Sequence, residues 1–175
     1  MLVQLSEIMN VTEGVRNMSV PIELDSFEIN GEAYAVQQKS NVDLKISNLG
    51  NKKVLIEARA SVVLTVPCDR CLSDVSIPFD INVREEIDFN LTEEQRTEDL
   101  DETNYITGYD LDVDKLIYDE VLIGFPMKVL CKDDCKGICK KCGANLNQGE
   151  CGCDRTELDP RMAVIRDIFN NFKEV

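Results

Sequence analysis

Apolar and polar residues alternate from position 42 to 89: Val42, Leu44 and Ile46, then Val54, Ile56 and Ala58, then Val62, Leu64 and Val66, and finally Val75, Ile77, Phe79, Ile81 and Val83. A period of two places each run on one face of a strand, which predicts an antiparallel meander with one buried face and one wet face. Gly50-Asn51, between the first two runs, supplies the permissive backbone of a hairpin turn. The turn between Val66 and Val75 contains Cys68-Asp69-Arg70-Cys71, so a cysteine pair is expected at the tip of a long hairpin. Weaker strand signals over 21–30 and 32–37 flank Asn30-Gly31 and are assigned to the same sheet.

The period then changes. Asp112 can cap a helix near 113–123 in which Val113, Leu116, Ile117, Val121 and Leu122 share one face, ending before Gly124 and Pro126. Asp159-Pro160 marks a second helix start, and Met162, Ile165, Ile168, Phe169 and Phe172 form its apolar stripe, which reads as core packing. Between strands and helix, 90–108 is rich in Glu, Asp, Thr and Asn and reads as an exposed acidic loop. The expected class is α+β: a β-rich antiparallel sheet or partial barrel with one or two packing helices. A body over 1–130 precedes a small cysteine-rich module and terminal helix over 131–175.

Length agrees, since 175 residues suit one body with a small appended module. Charge adds a local feature. Of the net −14, the stretch 85–120 carries 14 acidic residues against Arg96 and Lys115, so the rest of the chain is close to neutral. No histidine is present, which removes Ser-His-Asp and Cys-His catalysis and every mixed Cys/His metal site. The first fourteen residues have no basic-then-apolar leader, and no apolar run approaches the ~18 residues of a spanning helix. A cytoplasmic protein without a membrane partner is expected, in a reducing compartment where close cysteines hold metal more often than disulfides.

Six of the 8 cysteines crowd into 131–153 with the spacing C-x3-C-x3-C-x2-C-x8-C-x-C. With Cys68 and Cys71 they make the number that two tetrahedral four-thiolate sites require. In Cys139-x2-Cys142 both sulfurs point to one side of a tight knuckle, and Gly143 lets backbone amides turn toward them. Gly152 does the same between Cys151 and Cys153. The spacing groups Cys139, Cys142, Cys151 and Cys153 as one site and leaves Cys68, Cys71, Cys131 and Cys135 for a second that ties the hairpin tip to the tail. Thiolates alone leave no open coordination position, so two structural zinc ions are expected, with iron as the alternative. Lys128, Lys132, Lys136, Lys140 and Lys141 lie near these thiolates and offset their charge.

The motifs Cys68-Asp69-Arg70-Cys71-Leu72, Phe125-Pro126, Cys135-Lys136-Gly137-Ile138-Cys139, Cys142-Gly143-Ala144-Asn145-Leu146-Asn147, Cys151-Gly152-Cys153 and Asp159-Pro160-Arg161 together resemble the YceD family over 54–172. The resemblance implies a non-enzymatic role in large ribosomal subunit biogenesis, supporting accumulation of 23S rRNA. It implies no reaction, in keeping with the absence of a nucleotide-binding loop or activated nucleophile.

Two partners fit such a role. A net charge of −14 opposes contact with a phosphate polymer and favours a basic large-subunit ribosomal protein, drawn to the acidic loop. Precursor 23S rRNA is the other, for which Lys128, Lys132, Lys136, Lys140, Lys141, Arg155, Arg161 and Arg166 are the available cations. A different class of function is a redox-switched zinc protein with chaperone-like binding, in which oxidation of Cys151 and Cys153 expels metal and exposes apolar surface.

Overall fold

In the computed structural model, residues 1–91, 104–153 and 168 are described. Their elements follow in the order β1 (Leu2–Gln4), α1 (Ser6–Met9), β2 (Val15–Pro21), β3 (Ser26–Ile29), β4 (Glu32–Lys39), β5 (Asn41–Gly50), β6 (Lys53–Pro67), β7 (Asp74–Asp88), β8 (Ile106–Thr107), β9 (Asp110–Asp112) and α2 (Val113–Gly124). All strand pairings are antiparallel.

The two runs at 54–58 and 62–66 form a single strand, because the alternation never changes phase: Val54, Ile56, Ala58, Val62, Leu64 and Val66 all face inward. β6 pairs along its whole length with β7, from Lys53↔Asp88 to Pro67↔Asp74. Its other edge is shared by β5, opposite Val54 to Arg59, and β4, opposite Val62 to Leu64. Between β4 and β5 the chain bends at Ser40, whose N–H donates to the Ser61 carbonyl at 2.9 Å and whose hydroxyl accepts from the Ser61 N–H at 2.9 Å. Beyond them β3 pairs with β4 and β2 with β5, so these strands form one six-stranded sheet. Left-handed residues stand at its turns: Asn30 and Gly31 (φ 55° and 84°), then Gly50 and Asn51 (φ 81° and 49°).

Helix α2 covers the inner face. Its N-cap is Asp112, whose carboxylate accepts from the Lys115 N–H at 3.3 Å. Val113, Leu116, Ile117 and Val121 are buried, whereas Leu122, expected on the same face, is 45% exposed: at 100° per residue it has turned past the sheet. Aromatic rings fix the docking. Phe27 stacks on Tyr118 at 5.9 Å between centroids, and Phe125 lies between Tyr34 at 5.3 Å and Phe79 at 6.2 Å. The Tyr118 hydroxyl also donates to the Glu28 carbonyl.

Residues 1–14, for which the sequence predicts no element, supply β1 and α1. β1 joins β8 and β9 in a three-stranded sheet, order β1-β9-β8, and Leu5 and Ile8 enter the core. The Asn48 side-chain amide donates to the carbonyls of Ile8, Met9 and Val11 at 3.3, 3.1 and 2.8 Å, closing the carbonyl end of α1. The acidic loop is described only at its ends, 90–91 and 104–108. The terminal helix expected from Pro160 lies outside the described residues except for Ile168, which is helical and exposed.

Truncating Leu116, 1% exposed in α2, to alanine is expected to cost about 2–5 kcal/mol in denaturant unfolding. Ile123→Ala, at a residue 80% exposed on the same helix, is expected to cost no more than about 0.5 kcal/mol. Equal losses in the two variants would contradict this docking of α2.

Candidate functional site

Cys68 extends the inward phase of β6 one step past the end of the strand and is fully buried. It begins a second buried cluster with Cys71 and Cys135, and Val75 packs against both this cluster and the main core. The hairpin tip is shaped by its backbone: the Cys68 N–H donates to the Ser73 carbonyl at 2.8 Å and the Leu72 N–H to the Cys68 carbonyl at 2.9 Å, with Leu72 left-handed at φ 59°. The knuckle at Cys139 follows the same path. There the Gly143 N–H donates to the Cys139 carbonyl at 2.8 Å, and Gly143 has φ 73°. Leu72 thus holds at some strain the conformation that glycine takes freely.

Chain 125–135 brings two more sulfurs to the tip. Asp69 anchors it twice, its N–H donating to the Val129 carbonyl at 2.9 Å and its carboxylate accepting from the Val129 N–H at 2.7 Å. Arg70, inside the Cys68–Cys71 turn, clasps the next stretch: its guanidinium donates to the Cys135 carbonyl at 2.9 Å, and its own carbonyl accepts from the Ile138 N–H at 3.0 Å. Gly137 sits against that carbonyl with φ 78°, where a Cβ would stand 3.0 Å from the Arg70 oxygen. A side chain there would force the two segments apart.

The result is two groups of four sulfurs, Cys68, Cys71, Cys131 and Cys135, and Cys139, Cys142, Cys151 and Cys153, each with its sulfurs within 4.8 Å of one another. They are the groups that the spacing separates. An ion bound tetrahedrally by thiolates at ~2.3 Å sets its sulfurs about 3.8 Å apart. Cys68 Sγ lies 3.9 Å from Cys135 Sγ, and Cys71 Sγ 3.5 Å from Cys131 Sγ. Each tetrad has the donors to hold one metal ion, and four thiolates around an ion leave no coordination position for a substrate. Sequence reasoning named these eight residues; it quoted Asn145 and Asn147 within a motif but gave them no role, and it missed Ser73. Ser73 and Asn147 bond to sulfurs, and Asn145 donates to Ser73. A polar side chain at such a spacing carries no signal separate from that of any loop.

Proton affinities are split within each group. Burial pushes Cys68 up, but the backbone amides of Arg70, Cys131 and Cys71 outweigh it and bring the thiol down to about 6. The amides of Cys142 and Lys141 bring Cys139 down to about 6. Cys131 is held up at about 12, first by its contact with Cys71 and then by burial and the remaining sulfurs. Cys153 is held up at about 12 by Cys142 and Cys151. One sulfur in each tetrad thus ionises easily and one resists, because the last negative charge joins others with nothing to oppose it. A divalent cation at the centre reverses that balance.

Metal uptake near neutral pH must then displace the protons of Cys131 and Cys153, so affinity rises with pH, about tenfold per unit for each proton displaced. Chelator competition at pH 6 and pH 8 is expected to show tighter binding at pH 8, with acid released into a weakly buffered solution. Affinity independent of pH would be incompatible with four-thiolate coordination.

Among the described residues no helix is long and apolar enough to cross a membrane. The family model described as large ribosomal RNA subunit accumulation protein YceD matches residues 56–169, a span containing both tetrads. An uncharacterized protein of Mycobacterium bovis is 27% identical over 140 residues, 79% of this chain and 67% of the relative. The uncharacterized protein YlbN of Bacillus subtilis is 24% identical over 173 residues, 98% of this chain and 87% of its own length. A chloroplastic large ribosomal RNA subunit accumulation protein of Arabidopsis thaliana, YCED homolog 1, is 44% identical over 50 residues, 29% of this chain and 16% of its own. No solved structure matches the chain. With the family's model spanning most of the meander's long hairpin, the helix and both cysteine groups, this chain belongs to the YceD family of large ribosomal RNA subunit accumulation proteins.

Proposed function

We propose that the chain is a non-enzymatic factor in large ribosomal subunit biogenesis that supports accumulation of 23S rRNA by binding a basic large-subunit protein. The family match over 56–169 carries the process. The nature of the partner rests on charge. The stretch 85–120 holds most of the net −14, and Glu86, Asp110 and Asp112 lie within its described parts. An acidic surface attracts a lysine-rich protein and repels a phosphate chain. The alternative, direct contact with precursor rRNA, would use the exposed Lys128, Lys132, Lys136 and Lys140 beside the tetrads.

In this reading the tetrads hold zinc and act structurally. Four thiolates in a tetrahedron suit zinc, which has no redox chemistry of its own, and a filled coordination shell has no place for a reacting group. The ions lock the hairpin tip to the chain after α2. Zinc-held thiolates are also poor targets for oxidants, which weighs against a redox switch.

Metal analysis of protein prepared under reducing conditions is expected to give close to two zinc ions, falling to one in Cys142→Ser. Depletion from cells is expected to lower mature 23S rRNA before small subunits are affected. Affinity capture with and without nuclease separates the partners: a basic large-subunit protein that survives nuclease supports the proposal, and exchanging the carboxylates between Glu93 and Glu102 for amides should weaken its capture most at low salt. Precursor RNA retained without ribosomal proteins would overturn the protein-partner reading. Release of zinc by peroxide with gain of binding to unfolded clients would replace it by the redox switch.

A further inference from the structure

The eight residues between Cys142 and Cys151 belong by sequence to the second tetrad, yet one of their side chains, Asn147, reaches a sulfur of the first, and another, Asn145, reaches Ser73 beside it. The Asn147 side-chain amide donates to Cys135 Sγ at 3.3 Å. It also donates to Asn145 Oδ1 at 2.9 Å, and the Asn145 amide donates to Ser73 Oγ at 3.1 Å. Ser73 Oγ in turn lies 3.3 Å from Cys71 Sγ. A continuous polar bridge therefore runs from Cys135 to Cys71 through Asn147, Asn145 and Ser73.

The direction of this bridge is fixed by the backbone. The Lys136 N–H donates to Asn147 Oδ1 at 2.9 Å, which leaves the Asn147 NH2 facing the sulfur. The Asn147 N–H donates to Asn145 Oδ1 at 2.9 Å, which leaves the Asn145 NH2 facing Ser73. When Cys71 is a thiolate it can only accept, so the Ser73 hydroxyl donates to it while accepting from Asn145. The Asn147 NH2 and the Ser73 hydroxyl are then directed at sulfur in the first tetrad, and the Asn145 NH2 supports the hydroxyl from behind. Hydrogen bonds of this kind orient the sulfurs and spread the charge that four thiolates bring together.

The geometry points to Asn147 as a positioning residue that couples the two metal sites, so that an ion held by Cys139, Cys142, Cys151 and Cys153 strengthens the binding of another by Cys68, Cys71, Cys131 and Cys135. Cys142 and Cys151 flank the loop that carries Asn145 and Asn147. An ion joining those two sulfurs closes the loop and holds both amides in place, removing part of the ordering that they would otherwise require. Linkage makes the effect reciprocal: filling the first site must favour filling the second by the same factor. This inference rests on the tetrads holding metal.

The test uses the full-length chain with cobalt(II) for affinity, by competition with a chelator, and cadmium-113 resonances to distinguish the ions. Cys71→Ser and Cys142→Ser assign the resonances of the first and second sites. Asn147→Ala is expected to weaken the first ion by about 10- to 100-fold and to move its resonance, while the second ion loses affinity only through the coupling and keeps its resonance. Cys142→Ser is expected to weaken the remaining ion by a similar factor. Asn147→Asp retains the acceptor for the Lys136 N–H but loses the donor, and is expected to behave as the alanine variant, which separates the lost donation to sulfur from a collapsed loop. Unchanged affinity and resonance at the first site in both Asn147 variants would overturn the proposal, as would a Cys142→Ser chain that binds its remaining ion as tightly as the parent. Two tightly bound but independent ions would leave the metal reading intact, whereas a parent chain that binds neither probe would remove the metal reading itself.

Discussion

Along β6 every second side chain from Val54 to Val66 must be kept from water, and the rest of the described fold is arranged around that row. β7 satisfies the backbone of one edge throughout, and β4 and β5 divide the other around the bend at Ser40. α2 and its aromatic neighbours cover the face. Because Cys68 falls on the same phase, the row leads directly from hydrocarbon into sulfur, with Val75 touching both clusters. The first cysteine tetrad is thus a continuation of the core past the end of the strand.

The parts of the fold legible in the sequence were those in which one period persists over many residues. β6 gives six alternating apolar positions and β7 five, and α2 has an N-cap followed by a helical stripe, so their existence and inward faces were readable. Leu122 shows the limit of that reading: helical spacing says which residues neighbour one another on the helix but not how wide a strip the sheet covers. β1 spans three residues and α1 four, too short for any period to emerge, and their placement depends on pairing with β9 and on Asn48, far along the chain. The joining of 54–58 to 62–66 depended on seeing that Ala60 holds the phase while adding little hydrophobic signal.

The cysteines were legible for a different reason. Thiols are scarce, and their number and spacing must satisfy a coordination geometry, so all eight positions divide on spacing alone. The groups around the sulfurs do not. Ser73, Asn145 and Asn147 matter through hydrogen bonds of 2.9–3.3 Å that exist only once the hairpin and the tail are brought together. Arg70 and Gly137 likewise acquire their roles from a contact between segments more than sixty residues apart.

The phase of the β6–β7 pairing also decides what the other edge of β7 can do. The bonds from Cys68 to Ser73 and from Phe89 to Lys52 fix the odd-numbered residues of β7 as those whose backbone faces β6. The even-numbered ones face away, and among them is Pro78, which has no N–H to offer. Asp74 and Asp80 stand on either side of it with their side chains exposed. Among the described residues no strand pairs with this edge, yet a strand approaching the half nearer the cysteines would meet a missing donor and carboxylates beside it. A fifteen-residue strand can therefore extend to the thiolate knuckle without becoming a template on which further chains assemble.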